Sequence, residues 1–296
     1  MNLYNHPFHK TRIAPTPSGY LHAGNVLAFA ITAALAKQTH AGLLLRIDDM
    51  DRLRAQPAYV QDIFDTLQYL DIPWQEGPAN AVEFEQVFSQ QHRLPLYQQA
   101  LEQLQQANAI YACNCSRTQI TTSNTGSVCP GNCRNKAIPL DTPQVNWRLK
   151  TNRVPQVTVK TFNGPLTANL PSEMQDFVVR KKDGLPAYQL TSLIDDVHFK
   201  IDLIVRGEDL WHSTLAQLNL ATQLNLPAFN EATFYHHPLL LNAEKQKLSK
   251  SAGAISIQYL RNSGYTPAAI CQLIGNMLTP PSPANSWKTL AKACLA

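Results

Sequence analysis

The chain has 296 residues, 44% of them hydrophobic, with 25 Lys and Arg against 21 Asp and Glu. This suits a globule with a buried core, large enough for one big domain or a core domain with an insertion. No run of about 18 apolar residues occurs, so no membrane span is expected, and the opening MNLYNHPFHK lacks the apolar stretch and cleavage site of a secretory signal, so a cytoplasmic location is expected.

In chain order, RIAPTP (12–17) reads as a short strand stopped by Pro15 and Pro17, and residues 23–38 as an almost wholly apolar, buried helix. GLLLRIDD (42–49) is a buried strand running into acids. Residues 57–72 have helical spacing, with Tyr59, Ile63, Leu67 and Leu70 on one face. A further helix is expected over about 86–108. This order predicts a parallel sheet with helical crossovers. At Tyr111 the pattern changes: 111–140 is rich in Cys, Asn, Gly and Pro, and strand-like runs follow at 145–150, 156–160 and 176–181. The βα pattern returns near Pro186, with a helix at 187–197, a strand at 202–207, a helix at 209–225 and a strand-like run at 232–242; residues 255–280 read as helical. No internal repeat or low-complexity tract is present.

Charge is segregated. Residues 41–110 hold ten acidic side chains against four basic, and 111–160 hold seven basic against Asp141 alone. From Lys245 onward there are six basic residues and no acid. Such segregation points to an anionic partner, although an uneven surface with no partner gives the same count.

Three clusters carry chemistry. In RIAPTPSGYLHAGN (12–25) a strand, a Pro/Gly turn and a helix start follow one another, placing His22, Gly24 and Asn25 where free N–H groups and the helix dipole favour an anion. Alone, this is also the pattern of a turn with a surface histidine. KLSKS (247–251) puts two lysines on a loop, where they can neutralise phosphate oxygens, or simply be solvated. Cys113, Cys115, Cys129 and Cys133 offer four thiolates, enough for a tetrahedral zinc that would be structural because no ligand position stays open. Cys271 and Cys294 stand apart, and His198, His236 and His237 have no metal-like spacing to the cysteines.

Taken together, His22-Ala23-Gly24-Asn25 and Lys247-Leu248-Ser249-Lys250-Ser251 resemble the paired HIGH and KMSKS signatures of class I aminoacyl-tRNA synthetases. The blocks RIAPTPSGYLHAG, LLRIDDMDRLR, DGLPAYQLTSLIDD and DLIVRGEDL resemble those of the glutamyl subfamily, in the same order, from Arg12 to at least Ser251. The resemblance implies an α/β fold: a Rossmann-like parallel-sheet catalytic core in two halves (1–110 and 186–254), a zinc-containing β-rich insertion that binds acceptor RNA (111–185), and a short helical C-terminal segment (255–296). It implies ATP and Mg²⁺ at His22, Gly24, Asn25, Lys247 and Lys250, with Lys250 the main ATP contact. Glutamate is expected at Arg12, Ala14 (backbone), Thr16, Asp48, Tyr188 and Arg206, any of which could instead be structural. A zinc module also fits the subfamily. Two positions depart from its pattern: Asp48 stands where Glu is usual, and Asn25 where the class has His.

Only 45 residues follow Ser251, too few for the helical domains with which glutamyl enzymes read the anticodon. The resemblance is therefore to those members that esterify glutamate to queuosine in the anticodon stem-loop of tRNA(Asp), with a monomer expected. Alternatives are a truncated synthetase charging a tRNA 3′ end, transfer to a small molecule or carrier protein, and a non-catalytic tRNA-binding relic.

Overall fold

The structure, a computed structural model, describes residues 8–116, 129, 132–151, 155–240 and 256–295. Its main elements in chain order are β1 (Lys10–Ile13), α1 (Ala23–Thr39), β2 (Gly42–Leu45), α2 (Pro57–Tyr69), α3 (Leu94–Gln106), β3 (Ile110–Cys113), β4 (Asn146–Leu149), β5 (Gln156–Thr161) and β6 (Gly164–Asn169). There follow β7 (Val178–Arg180), α4 (Tyr188–His198), β8 (Leu203–Gly207), α5 (Trp211–Gln223), β9 (Thr233–His237), α6 (Ile257–Asn262), α7 (Pro267–Asn276) and α8 (Trp287–Leu295). They form two compact units: Met1–His92 with Ile201–Asp209 and Phe234–Ala296, and Arg93–Lys200 with Leu210–Thr233.

The first unit is built on strands in the order β2-β1-β8-β9. β1 pairs in parallel with β2, from Lys10↔Gly42 to Ile13↔Leu45, and in parallel with β8 at Thr11↔Leu203. The crossover helix α1 is rich in Ala and Leu, which favour helix. Val26, Leu27, Ala30, Ile31 and Leu35 are fully buried along it. It is closed at its far end by His40 in the left-handed conformation, whose N–H reaches the Ala36 carbonyl. The C-terminal helix α8 packs along α1. There Trp287 buries its ring and donates its indole N–H to the Asp71 carbonyl at 2.8 Å. The helices expected at 23–38 and 57–72 are found at 23–39 and 57–69, because apolar period is a local signal, while β1 covers 10–13 rather than 12–17 and β2 stops at Leu45 rather than Asp49.

The second unit holds an antiparallel three-stranded sheet, β3-β4-β7, and the β5–β6 hairpin, paired from Gln156↔Asn169 to Thr161↔Gly164. Gly164 turns the hairpin at φ 103°, a left-handed value that glycine adopts without strain. Helices α3 and α4 are tied by a buried set: Arg93 grips Asp195 with Nε at 2.7 Å and Nη2 at 3.0 Å, and the Tyr97 hydroxyl donates to the same carboxylate at 2.6 Å. Burial pushes the Tyr97 phenol well above its usual range, with the Asp195 charge adding to it.

Two segments differ from expectation. The helix expected over 86–108 is interrupted: a wide turn covers Phe84–Phe88, a tight one Gln90–Arg93, and α3 begins only at Leu94. The cause is Asp49, fully buried, which draws in the Ser89 hydroxyl at 2.6 Å and the Gln90 N–H at 2.7 Å and leaves Ser89 extended. The helical segment expected from 255 onward is present, but in pieces: α6 and α7 are separated by Gly264 at φ 80° and by Pro267, which opens α7, and α8 supplies the last part.

Candidate active site

In the first unit the chain leaves the carboxyl end of β1, turns through Pro15 and Pro17, and enters α1 at His22. Ligands of open parallel sheets bind outside this end of the strands. His22 is the N-cap of α1. Its Nδ1 accepts the Gly24 N–H at 3.1 Å, and its own N–H donates to Asn25 Oδ1 at 3.0 Å, a reciprocal capping box. Asn25 thus holds the backbone of His22. The first turn carries no acidic side chain, so the positive end of the dipole faces no fixed anion of its own helix. Gly24 lies under the imidazole: a Cβ there would meet His22 Cε1 at 3.0 Å.

Leu21, just before the cap, is fastened at both backbone groups. Its N–H donates to Asp62 Oδ2 at 2.8 Å and its carbonyl accepts from the Ile257 N–H at 2.8 Å. His22 and Ser256 form an antiparallel bridge. Arg261 Nη2 donates to Asp62 Oδ1 at 2.6 Å. No feature of the sequence pairs Asp62 with Arg261, 199 residues later.

Arg12 and Arg206 are both buried, on the adjacent strands β1 and β8. The register Thr11↔Leu203 puts residues 12, 204 and 206 on one face of the sheet, because side chains alternate along a strand. Arg12 donates from Nη1 to the Val205 carbonyl at 3.1 Å, and the Arg206 guanidinium stands 5.5 Å from the Phe234 ring centre. His236, on β9, is held neutral: burial first, then the Arg206 charge, lowers its pKa to about 4. Burial also lowers that of His237.

Asp48 is buried and gripped by Arg46, whose Nε lies 2.8 Å from one carboxylate oxygen and Nη2 3.2 Å from the other. A small cavity lies beside it, lined by Thr16, Pro17, Ser18, Asp48, Asp51, Arg54 and Ala55. Arg12, Ala14, Thr16, His22, Gly24, Asn25, Asp48 and Arg206 all belong to the first unit; Arg12 and Arg206 share a sheet face, Thr16 and Asp48 line one cavity, and His22, Gly24 and Asn25 form the α1 cap. Tyr188, half exposed, opens α4 in the second unit. Lys247 and Lys250 lie outside the described residues.

In the second unit the four Sγ atoms of Cys113, Cys115, Cys129 and Cys133 lie within 4.8 Å of one another. The closest pairs are 3.4 Å (Cys115–Cys129), 3.5 Å (Cys113–Cys129) and 3.6 Å (Cys115–Cys133). A regular tetrahedron of thiolates about 2.3 Å from a zinc has edges of about 3.8 Å, so the set fits such an ion. β3 delivers Cys113, and a short turn, Cys133–Asn135, delivers Cys133. Asp176 braces the surroundings: it accepts from the Tyr111 hydroxyl at 3.0 Å, from the Thr151 N–H at 2.9 Å and from Arg134 at 3.4 Å. Arg148 is buried and donates to the Asp176 carbonyl at 2.8 Å. Of the seven basic residues counted in 111–160, Arg148 is thus spent inside this unit, Arg134 stays exposed while touching Asp176, and Arg117 and Arg153 lie outside the described residues. The charge count overstates the cationic surface by at least Arg148.

A parallel sheet whose first strand leads through a turn into the N-terminus of a crossover helix is the architecture of nucleotide-binding α/β proteins. Comparison with known proteins makes the class specific. The profile of the tRNA synthetases class I (E and Q), catalytic domain, matches residues 9–142 and 143–290, and the chain belongs to this family. It is 35% identical over 273 residues to a glutamate–tRNA ligase of Anaeromyxobacter sp. (strain Fw109-5), covering 88% of this chain and 56% of that protein. It is 31% identical over 287 residues to a glutamyl-Q tRNA(Asp) synthetase of Rhodobacter capsulatus, covering 90% of this chain and 99% of that protein. The chain thus spans about half the length of the glutamate–tRNA ligase and nearly all of the R. capsulatus protein. The fold is also that of a glutamate–tRNA synthetase structure from Elizabethkingia anophelis, with a TM-score of 0.73 at 23% identity, covering 96% of this chain and 65% of that one. Among the described residues no helix is long and apolar enough to cross a membrane.

Proposed function

We propose that this chain activates L-glutamate with ATP and transfers the glutamyl group to queuosine in the anticodon loop of tRNA(Asp). The observation that carries this reading is the match along 99% of the R. capsulatus glutamyl-Q tRNA(Asp) synthetase. A second reading, charging of a tRNA 3′ end, has the higher identity, 35%, to a glutamate–tRNA ligase in its favour.

In the first step a glutamate carboxylate oxygen attacks the α-phosphorus of ATP, the bond to the β-phosphate oxygen breaks, and pyrophosphate leaves. The positive end of the α1 dipole, at His22, Gly24 and Asn25, favours the phosphates, and Lys247 and Lys250 neutralise the charge that builds up on them. Magnesium arriving with the nucleotide would supply further charge neutralisation at the phosphate oxygens. Arg12 and Arg206, fixed in the sheet, suit the side-chain carboxylate because a guanidinium offers paired donors. Asp48 suits the ammonium. With both its oxygens on Arg46 and a cavity at its side, the shorter acid reaches that ammonium through a water. The Ala14 carbonyl and Thr16 join the same glutamate site. In the second step a hydroxyl of the queuosine diol attacks the adenylate carbonyl and AMP leaves. The protein's part is to position and to stabilise charge. Cys113, Cys115, Cys129 and Cys133 would hold a structural zinc, which cross-links the segment 111–185 that meets the RNA.

The test offers labelled glutamate to tRNA(Asp) with and without queuosine, and to a queuosine-containing anticodon stem-loop that lacks the acceptor end. Incorporation into the stem-loop is the expected result. Transfer only to intact tRNA, whether or not queuosine is present, establishes the second reading instead.

A further inference from the structure

We propose that Asp62 and Arg261 are positioning residues for the phosphate-binding start of α1, a role that rests on the adenylation reading above. The two sit on α2 and α6, and neither belongs to the sequence blocks that carry the family resemblance. Asp62 is 2% exposed, and its two carboxylate oxygens serve different ends. Oδ2 takes the N–H of Leu21, the residue before the His22 cap, at 2.8 Å. Oδ1 takes Arg261 Nη2 at 2.6 Å and the Thr66 hydroxyl at 3.4 Å. Arg261 also lies 3.5 Å from Asp65 on the next turn of α2. The Leu21 carbonyl meanwhile accepts from Ile257, and His22 bridges to Ser256.

One carboxylate thus binds two strangers in sequence: the turn that presents His22 and the helix that receives the chain after Lys247 and Lys250. A merely stabilising ion pair would need neither the Leu21 N–H nor a place beside the N-cap. Asp62 is almost wholly buried, so removing the Arg261 partner leaves its carboxyl group to be compensated by movement of its neighbours. The nearest backbone it holds is that of Leu21. A displacement of about 1 Å at a phosphate site can cost about a hundredfold in rate.

The experiment is a double-mutant cycle between Arg261→Ala and His22→Ala in ATP–pyrophosphate exchange with glutamate. Arg261→Ala should slow exchange about ten- to a hundredfold with the glutamate KM unchanged within about twofold, and Arg261→Lys should recover most of the rate. In the His22→Ala background the further loss from Arg261→Ala should shrink below about threefold, since both changes disturb one unit. Additive losses, or a full rate for Arg261→Ala, overturn the proposal. If Arg261→Ala does not fold, Asp62→Asn takes its place, because it keeps the shape of the side chain and loses one acceptor. Amide exchange gives a readout independent of activity: Leu21 and Ile257 should exchange at least about tenfold faster in the variant, while the α3 amides keep their rates. Unchanged exchange at Leu21 overturns the positioning role even where the wild type is active. A wild type inert with glutamate, together with accelerated exchange at Leu21, overturns the adenylation reading and leaves the contact standing.

Discussion

Replacing Gly24 by Ala separates the catalytic use of the α1 start from its structural use. Alanine is the better helix former, by at most about 1 kcal/mol at this first-turn position. Against that, the new Cβ would lie 3.0 Å from His22 Cε1 and 3.2 Å from Nδ1, inside the 3.5–4.0 Å at which carbon atoms attract each other. The ring must give way, and with it goes the 3.1 Å bond in which Nδ1 caps the Gly24 N–H. Losing such a cap costs about 0.5–2 kcal/mol. The two effects nearly cancel, so stability should change by no more than about 1 kcal/mol, a melting shift of about 2–4 °C. Activity has no such compensation. The methyl group and the displaced imidazole both occupy the space where a phosphate would approach the backbone, and adenylation should fall about ten- to a hundredfold. Thermal melting and ATP–pyrophosphate exchange, run on the same preparation, measure the two quantities. Exchange within about twofold of wild type would refute the assignment of this helix start to phosphate. So would a melting loss large enough to account for the lost rate.

Other predictions bear on the remaining parts. Metal analysis of protein purified without chelator should find about one zinc per chain, and Cys115→Ser should destabilise the second unit far more than Cys271→Ser, since zinc contributes about 10 kcal/mol or more in small modules; protein free of zinc would end this reading. Lys250→Ala should slow glutamate adenylation by about a hundredfold, the scale of losing one preorganised charge, with glutamate affinity nearly unchanged. His236 bears on pH dependence. Its folded pKa, about 4, lies below the ordinary 6.5, so between these values the unfolded chain binds the proton and the fold does not. Its contribution to stability is thus full above 6.5 and is lost as pH falls toward 4. Denaturant titrations of the wild type and His236→Gln across that window should show a shallower slope for the variant, and equal slopes would remove His236 as the cause.

The sequence alone determined the parts that depend on neighbours along the chain. The alternation of apolar runs and turns located β1, α1, β2 and α2, since a strand or helix buries its face by a local period. The blocks around His22 and Lys250 and the four cysteines were legible because their chemistry demands given residue types at short spacings. What lay beyond it was the choice of partners far away. Asp49 stood only as an acid at the end of an apolar run, and it proves to bind Ser89 and Gln90, about 40 residues on, where the expected helix breaks. Arg148 counted as cationic surface, yet it is buried and turns inward to the Asp176 carbonyl. α8 falls in the segment expected to be helical, but its place along α1 was decided only by the tertiary packing. Asp62 and Arg261 carry no pattern at all. A buried carboxylate takes whichever donors the fold brings to it, and only the packing of α2 beside α6 brings it Leu21 and Arg261.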